Sequence, residues 1–387
     1  MDQKRAYQDE EPPASLAKRP RTFDTASNGD IYNRDLYSPL VQEQYTIAWI
    51  CALPLELTAS RAMLDEEHPL PPHQAGDDNT YVLGRIDQHN IVMTCLPGEY
   101  GTNNAAIVAT NLNRSFPNIR ATLMVGVGGG SPSQANLYLG DVVVGTRIMQ
   151  YDMGKRVAGG SFEETADPKT PARLLNSAVS ALRSKHGSDR SSSRMTSLLR
   201  TRLPKILRPD IPDRLFQASY KHPVGAPTCT DCDLEKLQPR GAPLSDGPSI
   251  HYGVIASGNQ VMKDGKARDE IAQRLSALCF EMEAAGMMDN LQCLPIRGIC
   301  DYSDSHKNNM WQNYAAAAAA AYARELLEGL PPSSRTLDRN PTYITDVSQT
   351  DTNGNRTHCH NPPLLLWYHA NRGCEQPIMP WNGGNTC

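Results

Sequence analysis

The chain has 387 residues and a formal net charge of −4, with 39% hydrophobic and 6% aromatic residues. This length suits one large domain or two smaller ones, and no strongly basic composition indicates nucleic acid as a partner. No stretch approaches the ~18 apolar residues of a membrane span, and the charged N-terminus lacks the apolar segment of a secretory signal. The ten cysteines are scattered, several within apolar runs, as is typical of reduced thiols inside a cell. We therefore expect a cytoplasmic protein with neither nucleic acid nor membrane as a partner.

The two ends of the chain differ in composition from its middle. Residues 1–44 are polar and proline-rich, and we expect them to be disordered. They carry a short basic cluster at Lys18, Arg19 and Arg21, which offers a nuclear location as an alternative. Residues 331–387 are rich in Asn, Pro, Thr and Gly without periodicity, and we expect a poorly ordered tail.

Between these ends, strand-like runs alternate with helix-like runs. This alternation predicts an α/β domain over 45–330, with a central mixed β-sheet flanked by helices. In chain order we predict a strand over 45–53, a helix over 54–66, a hairpin over 80–96, a helix over 101–116, strands over 120–130, 139–146 and 251–261, a helix over 267–276, a strand over 278–283, a helix over 284–292, a strand over 294–301 and a helix over 311–330.

One region interrupts this alternation. Residues from about 155 to 248 are rich in Ser, Arg and Pro, and we interpret them as a long, partly helical insertion on the rim of the domain. It contains Cys229-x-x-Cys232 with His222 upstream. A structural zinc site needs four ligands, so we favour an ordinary loop and predict no metal and no cofactor.

Three predicted strands end in chemically unusual residues. The run from Val125 to Gly130 contains four glycines, the strand over 278–283 ends in Glu281-Met282-Glu283, and the strand over 294–301 ends in Asp301. Each feature alone is common in turns and helix caps. In α/β sheets, however, ligands bind beyond the carboxyl ends of strands, so together they predict a binding site.

The order of these motifs resembles the nucleoside phosphorylase superfamily over roughly 45–330, and most closely the purine and uridine phosphorylase-like domains of fungal proteins, often fused to NACHT or ankyrin segments. The resemblance is carried by WICALPLE, MVGVGGG, LGDVVVG, QYDMGK, HYGVIASGNQVMKDG, LCFEMEAAG and RGICDYSDSHKN, in this order. It implies a nucleoside phosphorylase-like fold and a nucleoside site.

The resemblance also implies residue roles. Glu283 would accept hydrogen bonds from the ribose 2′- and 3′-hydroxyls, with Glu281 nearby and Met282 packed on the sugar, and Asp301 would hand a proton to purine N7. A carboxylate also favours the positive charge that develops on an oxocarbenium-like sugar. The remaining implied positions are Ser257, Gly258, Asn259 and Val261 around the base, where Val261 replaces an aromatic residue, and Gly126, Val127, Gly128 and Gly129 at the glycine strand end.

The reaction type depends on Glu56. Phosphorolytic members carry an Arg at this position and a further Arg on the glycine strand, whereas hydrolytic members such as methylthioadenosine nucleosidase place a Glu here that orients water. This sequence has Glu56, with Met124 and Val127 on the glycine strand. An acid without these cations is a poor phosphate site. We therefore predict a purine nucleosidase that uses water as co-substrate and releases free base and ribose.

Three alternatives remain open. The first is a phosphate-dependent purine nucleoside phosphorylase. The second is an N-glycosidase for nucleotides, with Lys307 or basic residues of the insertion near the 5′ side. The third, of a different class, is a non-catalytic module that senses a nucleoside. The resemblance further implies a homo-oligomer, most simply a dimer.

Overall fold

The computed structural model describes residues 41–72, 74–188, 193–226, 228–243 and 247–333. The basic cluster at Lys18, Arg19 and Arg21 and most of the two segments predicted to be disordered lie outside the described residues. The domain boundaries drawn from the sequence stay predictions.

Strands and helices alternate along the described chain. The strands are β1 (Ile47–Cys51), β2 (Glu66–His68), β3 (Tyr81–Ile86), β4 (His89–Cys95), β5 (Ala121–Gly130), β6 (Val142–Gln150), β7 (Gly154–Arg156), β8 (Phe162–Glu164), β9 (Ile250–Ser257), β10 (Ala277–Glu281) and β11 (Leu294–Asp301). The helices are α1 (Pro54–Arg61), α2 (Thr102–Ser115), α3 (Arg173–Ser188), α4 (Ser193–Arg202), α5 (Gly265–Leu275), α6 (Ala284–Met287) and α7 (Gln312–Glu328).

Nine strands form one mixed sheet in the order β10-β9-β6-β11-β5-β1-β4-β3-β2. β5 pairs in parallel with both β1 and β11, whereas β3 pairs antiparallel with β4. β10 also pairs antiparallel with β5, through Cys279 with Gly130 and Phe280 with Gly129. This extra pairing closes β10, β9, β6, β11 and β5 into a ring. The predicted α/β fold with a mixed, helix-flanked sheet is confirmed.

The alternation of side chains along β1 divides the core into two layers. Ile47, Trp49 and Cys51 pack on one face with α1 and α7, while Ala48 and Ile50 pack on the other with α2 and α6. The run 315–321 of α7 consists of buried alanines. Small side chains let this helix lie close to β11, where a Cβ on Gly298 would clash with the Ala315 carbonyl.

The long segment between β6 and β9 differs in part from its predicted position. The expected helices are present as α3 and α4. They pack into the core of the domain and do not lie only on its rim. Leu175, Val179, Leu198 and Leu199 are buried in the same core cluster as α7, because each helix has one apolar face. Further departures are the unpredicted strands β2, β7 and β8 and the shortness of α1 and α6.

No helix among the described residues combines the length and hydropathy that a transmembrane span requires.

Candidate functional site

The carboxyl ends of several strands meet around one cavity. Because β5 lies between β1 and β11 and also pairs with β10, the residues that follow these strands converge. The cavity has a volume of about 190 Å³. Its charged and polar walls come from Glu56, Glu281, Glu283, Arg297, Ser303 and Lys307. The backbone of Val127, Gly128 and Gly129 forms another wall, and Tyr100, Val261, Met262, Phe280 and Met282 supply apolar surface. Three of the sequence-predicted acids, Glu56, Glu281 and Glu283, and most of the glycine strand end therefore line one cavity, whereas Asp301 is not among its walls and reaches it only through its partner Lys307.

Glu56 caps α1 and also faces the cavity. Its Oε2 accepts hydrogen bonds from the backbone N–H groups of Ala52 (2.8 Å) and Leu53 (2.9 Å), and its Oε1 accepts one from Val127 (2.7 Å). Burial raises the pKa of Glu56, although Arg297 and the three N–H groups favour the charged form. Glu56 belongs to the first turn of α1, and its buried side chain lies where β1 ends.

Arg297 is a site residue that sequence analysis missed. It lies in the middle of β11, is 1% exposed, and donates Nη2 to Glu281 and, at 3.4 Å, to Glu283. Burial disfavours its charge, but Glu281, Glu283 and Glu56 outweigh burial and raise its pKa. The sequence could have indicated this residue, because an arginine inside the apolar run LPIRGICD is expected to be buried and therefore to pair with buried acids.

Glu281 and Glu283 have different environments. Glu281 has three close donors, since it accepts from Arg297 and from the backbone N–H groups of Glu283 (3.1 Å) and Ala284 (3.0 Å). Glu283 has only long contacts of 3.4 Å, to Arg297 and to the N–H groups of Gly101 and Met282. The oxygens of Glu283 therefore keep acceptor capacity for a ligand.

The buried charges around Arg297 do not balance. Three acids, Glu56, Glu281 and Glu283, face one guanidinium. Burial raises the pKa of Glu283 to about 7, with Glu281 and Glu56 adding to the effect and Arg297 opposing it. The excess of acid favours a cation and disfavours an anion in the cavity.

Glycine is required at two positions of the glycine strand end. A Cβ on Gly126 would clash with Glu56 Oε1 and lie 2.6 Å from Arg297 Nη1. A Cβ on Gly129 would clash with Ser303 and lie 2.7 Å from Asp301 Oδ1. The absence of side chains here lets the acids from other strands approach β5.

Asp301 ends β11 in a tight turn. Its Oδ1 accepts from the N–H of Ser303 (2.8 Å), which has a φ of +52°, and its Oδ2 accepts from Lys307 (2.7 Å) and the Cys300 thiol (3.1 Å). Burial opposes the charge of Lys307, but Asp301 outweighs it and the pKa of Lys307 is raised. Lys307 was expected near the 5′ side; its ammonium lies against Asp301 instead.

The residues predicted around the base fall in two groups. Val261 lies on the cavity wall and is half exposed. The Ser257 hydroxyl accepts from Ala285 N–H at 2.9 Å, behind the wall, and the Asn259 side chain is bound to Thr102 and Asp152. Gly258 packs against Tyr151 and Asp152. Ser257, Gly258 and Asn259 are therefore not among the cavity walls, whereas Tyr100 and Met262, which sequence analysis did not single out, are.

Comparisons with known proteins agree with this architecture. The family model described as "Phosphorylase superfamily" matches residues 46–197, which include Glu56 and the glycine strand end. The chain is 40% identical over 313 residues to a nucleotide-binding leucine-rich repeat (NLR)-like protein of Hyaloscypha variabilis, covering 76% of this chain and 30% of that protein. The chain thus spans less than a third of that relative's length.

Relatives of known activity are more distant. The chain is 24% identical over 291 residues to the 5′-methylthioadenosine/S-adenosylhomocysteine nucleosidase of Mycobacterium tuberculosis, covering 74% of this chain and 97% of that one. It is 22% identical over 288 residues to the ATP nucleosidase Cap17 of Escherichia coli, covering 72% and 50%. Among solved structures, futalosine hydrolase of Helicobacter pylori is similar with a TM-score of 0.49 and 16% identity, covering 74% and 99%. The match over residues 46–197, the sheet order and the convergent strand ends agree with a domain of the phosphorylase superfamily.

Proposed function

We propose that this protein hydrolyses the N-glycosidic bond of a purine nucleoside and releases free base and ribose. One observation carries the proposal against phosphorolysis. Among the residues that the structure describes, two cationic side chains line the cavity, Arg297 and Lys307. Both are already paired with carboxylates. A phosphate dianion entering beside Glu56 would meet like charge, at roughly 4 kcal/mol per unit charge pair for ~4 Å and an effective dielectric near 20. Water meets no such penalty.

Glu56 supports the attack of water. A carboxylate offers about four acceptor sites, and three backbone N–H groups occupy Glu56 from the protein side. The remaining acceptor site faces a cavity, where it orients one water molecule. Its raised pKa suits the proton that this water loses as it bonds to the sugar carbon.

Glu283 supports binding of the ribose. Its two oxygens have only long contacts within the protein, so they can accept from the two hydroxyls of a cis-diol. Met282 lies on the same wall and supplies apolar contact to the sugar. As the glycosidic bond breaks, the excess of buried acid stabilises the cationic sugar.

Asp301 and Lys307 support departure of the base. A purine anion is a poor leaving group, and protonation at N7 makes it a good one. Lys307 keeps a proton 2.7 Å from Asp301 Oδ2. In our proposal the proton reaches N7 through this pair, and the pair regains it from solvent after the base departs. An acid at this place serves N7, which pyrimidines lack, so we assign a purine.

The experiment is a substrate panel assayed with and without inorganic phosphate, with the sugar product identified. We expect equal turnover in both buffers and free ribose as product. Glu56→Gln should slow turnover by about two to three orders of magnitude and leave binding of the free purine intact. Rates that rise and saturate with phosphate, together with ribose 1-phosphate, would establish a phosphorylase instead.

A nucleotide substrate is the second candidate, because the chain is similar to the ATP nucleosidase Cap17. The same panel decides between the two if it contains adenosine, methylthioadenosine, AMP and ATP. Turnover of the nucleotides alone would overturn the nucleoside assignment. Binding of a nucleoside without turnover of any panel member would favour a sensing module.

A further inference from the structure

A cluster of metal-binding side chains lies in the long segment between β6 and β9, outside the cavity described above. The ligand atoms of His222, Cys229 and Cys232 all lie within 4.8 Å of one another. A 3-10 turn over Cys229–Asp231, capped by the Thr228 hydroxyl, brings the two thiols together. The sequence alone offered too few ligands for zinc, and the fold now places a histidine beside the pair.

His306 is an independent observation that points to the same place. It is 8% exposed, and neither ring nitrogen has a hydrogen-bond partner among the described residues, although Nδ1 lies 3.4 Å from Oδ1 of Asp304. Its ring stacks on Phe216 at 4.2 Å and lies 5.4 Å from the His222 ring, measured between centroids. A buried polar group without a partner costs about 1–3 kcal/mol. Asp304 faces Nδ1, so Nε2 is the atom that is placed to bind a ligand.

We propose that His222, Cys229, Cys232 and His306 form a structural zinc site. Two thiolates and two imidazoles are a ligand set that Zn²⁺ prefers in tetrahedral geometry. At metal–ligand distances of ~2.0–2.3 Å, tetrahedral ligand atoms lie roughly 3.3–3.8 Å apart. The three atoms that lie within 4.8 Å of one another must move closer to reach this spacing, and the His222 nitrogen that binds the metal must give up its contact with the carbonyl of Pro223 or of Thr228. The site does not depend on the proposed activity.

The zinc would join two segments far apart in the chain. His306 belongs to the turn after β11, next to Lys307, which contacts Asp301. His222 already donates its backbone N–H to Ser305 in that turn at 2.9 Å. A metal bond between the segments would hold the turn, and with it Lys307, against the cavity.

The test is the zinc content of the full chain purified in the presence of Zn²⁺. We expect one equivalent per chain, lost in Cys229→Ser and in Cys232→Ser and kept in Cys95→Ser, whose thiol lies elsewhere on β4. Replacement of zinc by Co²⁺ should give a thiolate-to-cobalt charge-transfer band that Cys229→Ser weakens. Absence of bound zinc, zinc that survives both cysteine substitutions, or a disulfide between Cys229 and Cys232 in this preparation would overturn the proposal.

A second measurement needs no substitution, so it holds even where a variant fails to fold. Removal of zinc from the wild-type chain by a chelator should increase hydrogen exchange in the turn around 302–310, and added Zn²⁺ should restore protection. Unchanged exchange there would contradict the structural role. His306→Asn should weaken zinc affinity at least about tenfold; full affinity would remove His306 from the ligand set.

Discussion

Lys307 donates its ammonium to Oδ2 of Asp301 at 2.7 Å, at the point where β11 ends. The acid that ends this strand is therefore held in a buried ion pair and is not a free surface carboxylate; Lys307 lines the cavity, and Asp301 lies behind it. In the proposed reaction this pair supplies the proton to the leaving base, and this arrangement leads to the first prediction.

Asp301→Asn should lower turnover by ~10²–10⁴, because the amide keeps the shape of the carboxyl but cannot pass a proton. Binding of a non-hydrolysable purine nucleoside analogue should change far less. Steady-state kinetics and analogue titration measure the two effects. Lys307→Met is the matched variant, and its loss should be sub-additive with Asp301→Asn because both changes disable one pair. Near-normal turnover of Asp301→Asn would remove Asp301 from the mechanism.

The second prediction concerns the ribose. Glu283→Gln loses the charge that favours a cationic sugar, and a 2′-deoxynucleoside lacks one hydroxyl that Glu283 would hold. Both changes delete parts of the same contact, so their effects on kcat/KM should be sub-additive. Glu281→Gln is the comparison variant, since Glu281 already accepts from Arg297 and two backbone N–H groups and should show less coupling to the 2′-hydroxyl. Full additivity for Glu283→Gln would place the 2′-hydroxyl against another group.

The third prediction concerns pH and stability. Burial raises the pKa of Glu283 from the ordinary 4.5 to about 7, so between these values the folded protein binds a proton that the unfolded chain has released. The contribution of Glu283 is therefore fully present below about 4.5 and is lost as pH rises through about 7. Relative to Glu283→Gln, the wild type should lose up to about 1.4 kcal/mol of unfolding free energy per pH unit in this window. Chemical denaturation at several pH values measures the difference, and a flat difference would show a carboxyl with an ordinary pKa.

The fourth prediction concerns Arg297. Arg297→Met keeps the volume of the side chain but leaves Glu281 and Glu283 buried without their cation. We expect a loss of about 3–5 kcal/mol of stability and partial recovery in the double variant that also carries Glu281→Gln. Thermal or denaturant unfolding measures both. A single variant as stable as the wild type would mean that solvent reaches these acids.

The fifth prediction concerns assembly. We propose a homo-oligomer, most simply a dimer, whose second copy covers the mouth of the cavity. Tyr100 and Val261 lie at this mouth and are 50% and 52% exposed. Val261→Glu should therefore shift the mass measured by light scattering toward the monomer, whereas Val224→Glu, at a position exposed elsewhere, should not. A fully active monomeric wild type would contradict this proposal.

The sequence predicted the sheet and the acids better than it predicted their partners. Strand ends with Glu281, Glu283 and Asp301 were visible because acids interrupt apolar runs. The pairing of β10 with β5, which closes the ring, was not visible, because it joins segments about 150 residues apart. Arg297 was overlooked inside its strand, and the contact of Lys307 with Asp301 was not predicted. The side-chain partners of Asn259 depend on Thr102 and Asp152, which only the fold brings near.

The long separation between paired segments also affects how the chain matures during synthesis. The contact between Glu56 and Val127 spans 71 residues, that between Asn259 and Thr102 spans 157, and that between Glu283 and Gly101 spans 182. The early strands β1, β4 and β5 can pair as they leave the ribosome, but the cavity gains Glu283 only after residue 283 has emerged. Since non-local contacts form slowly, a nascent or truncated chain holds Glu56 in an incomplete site, and the proposed cleavage requires the last strands to close the ring.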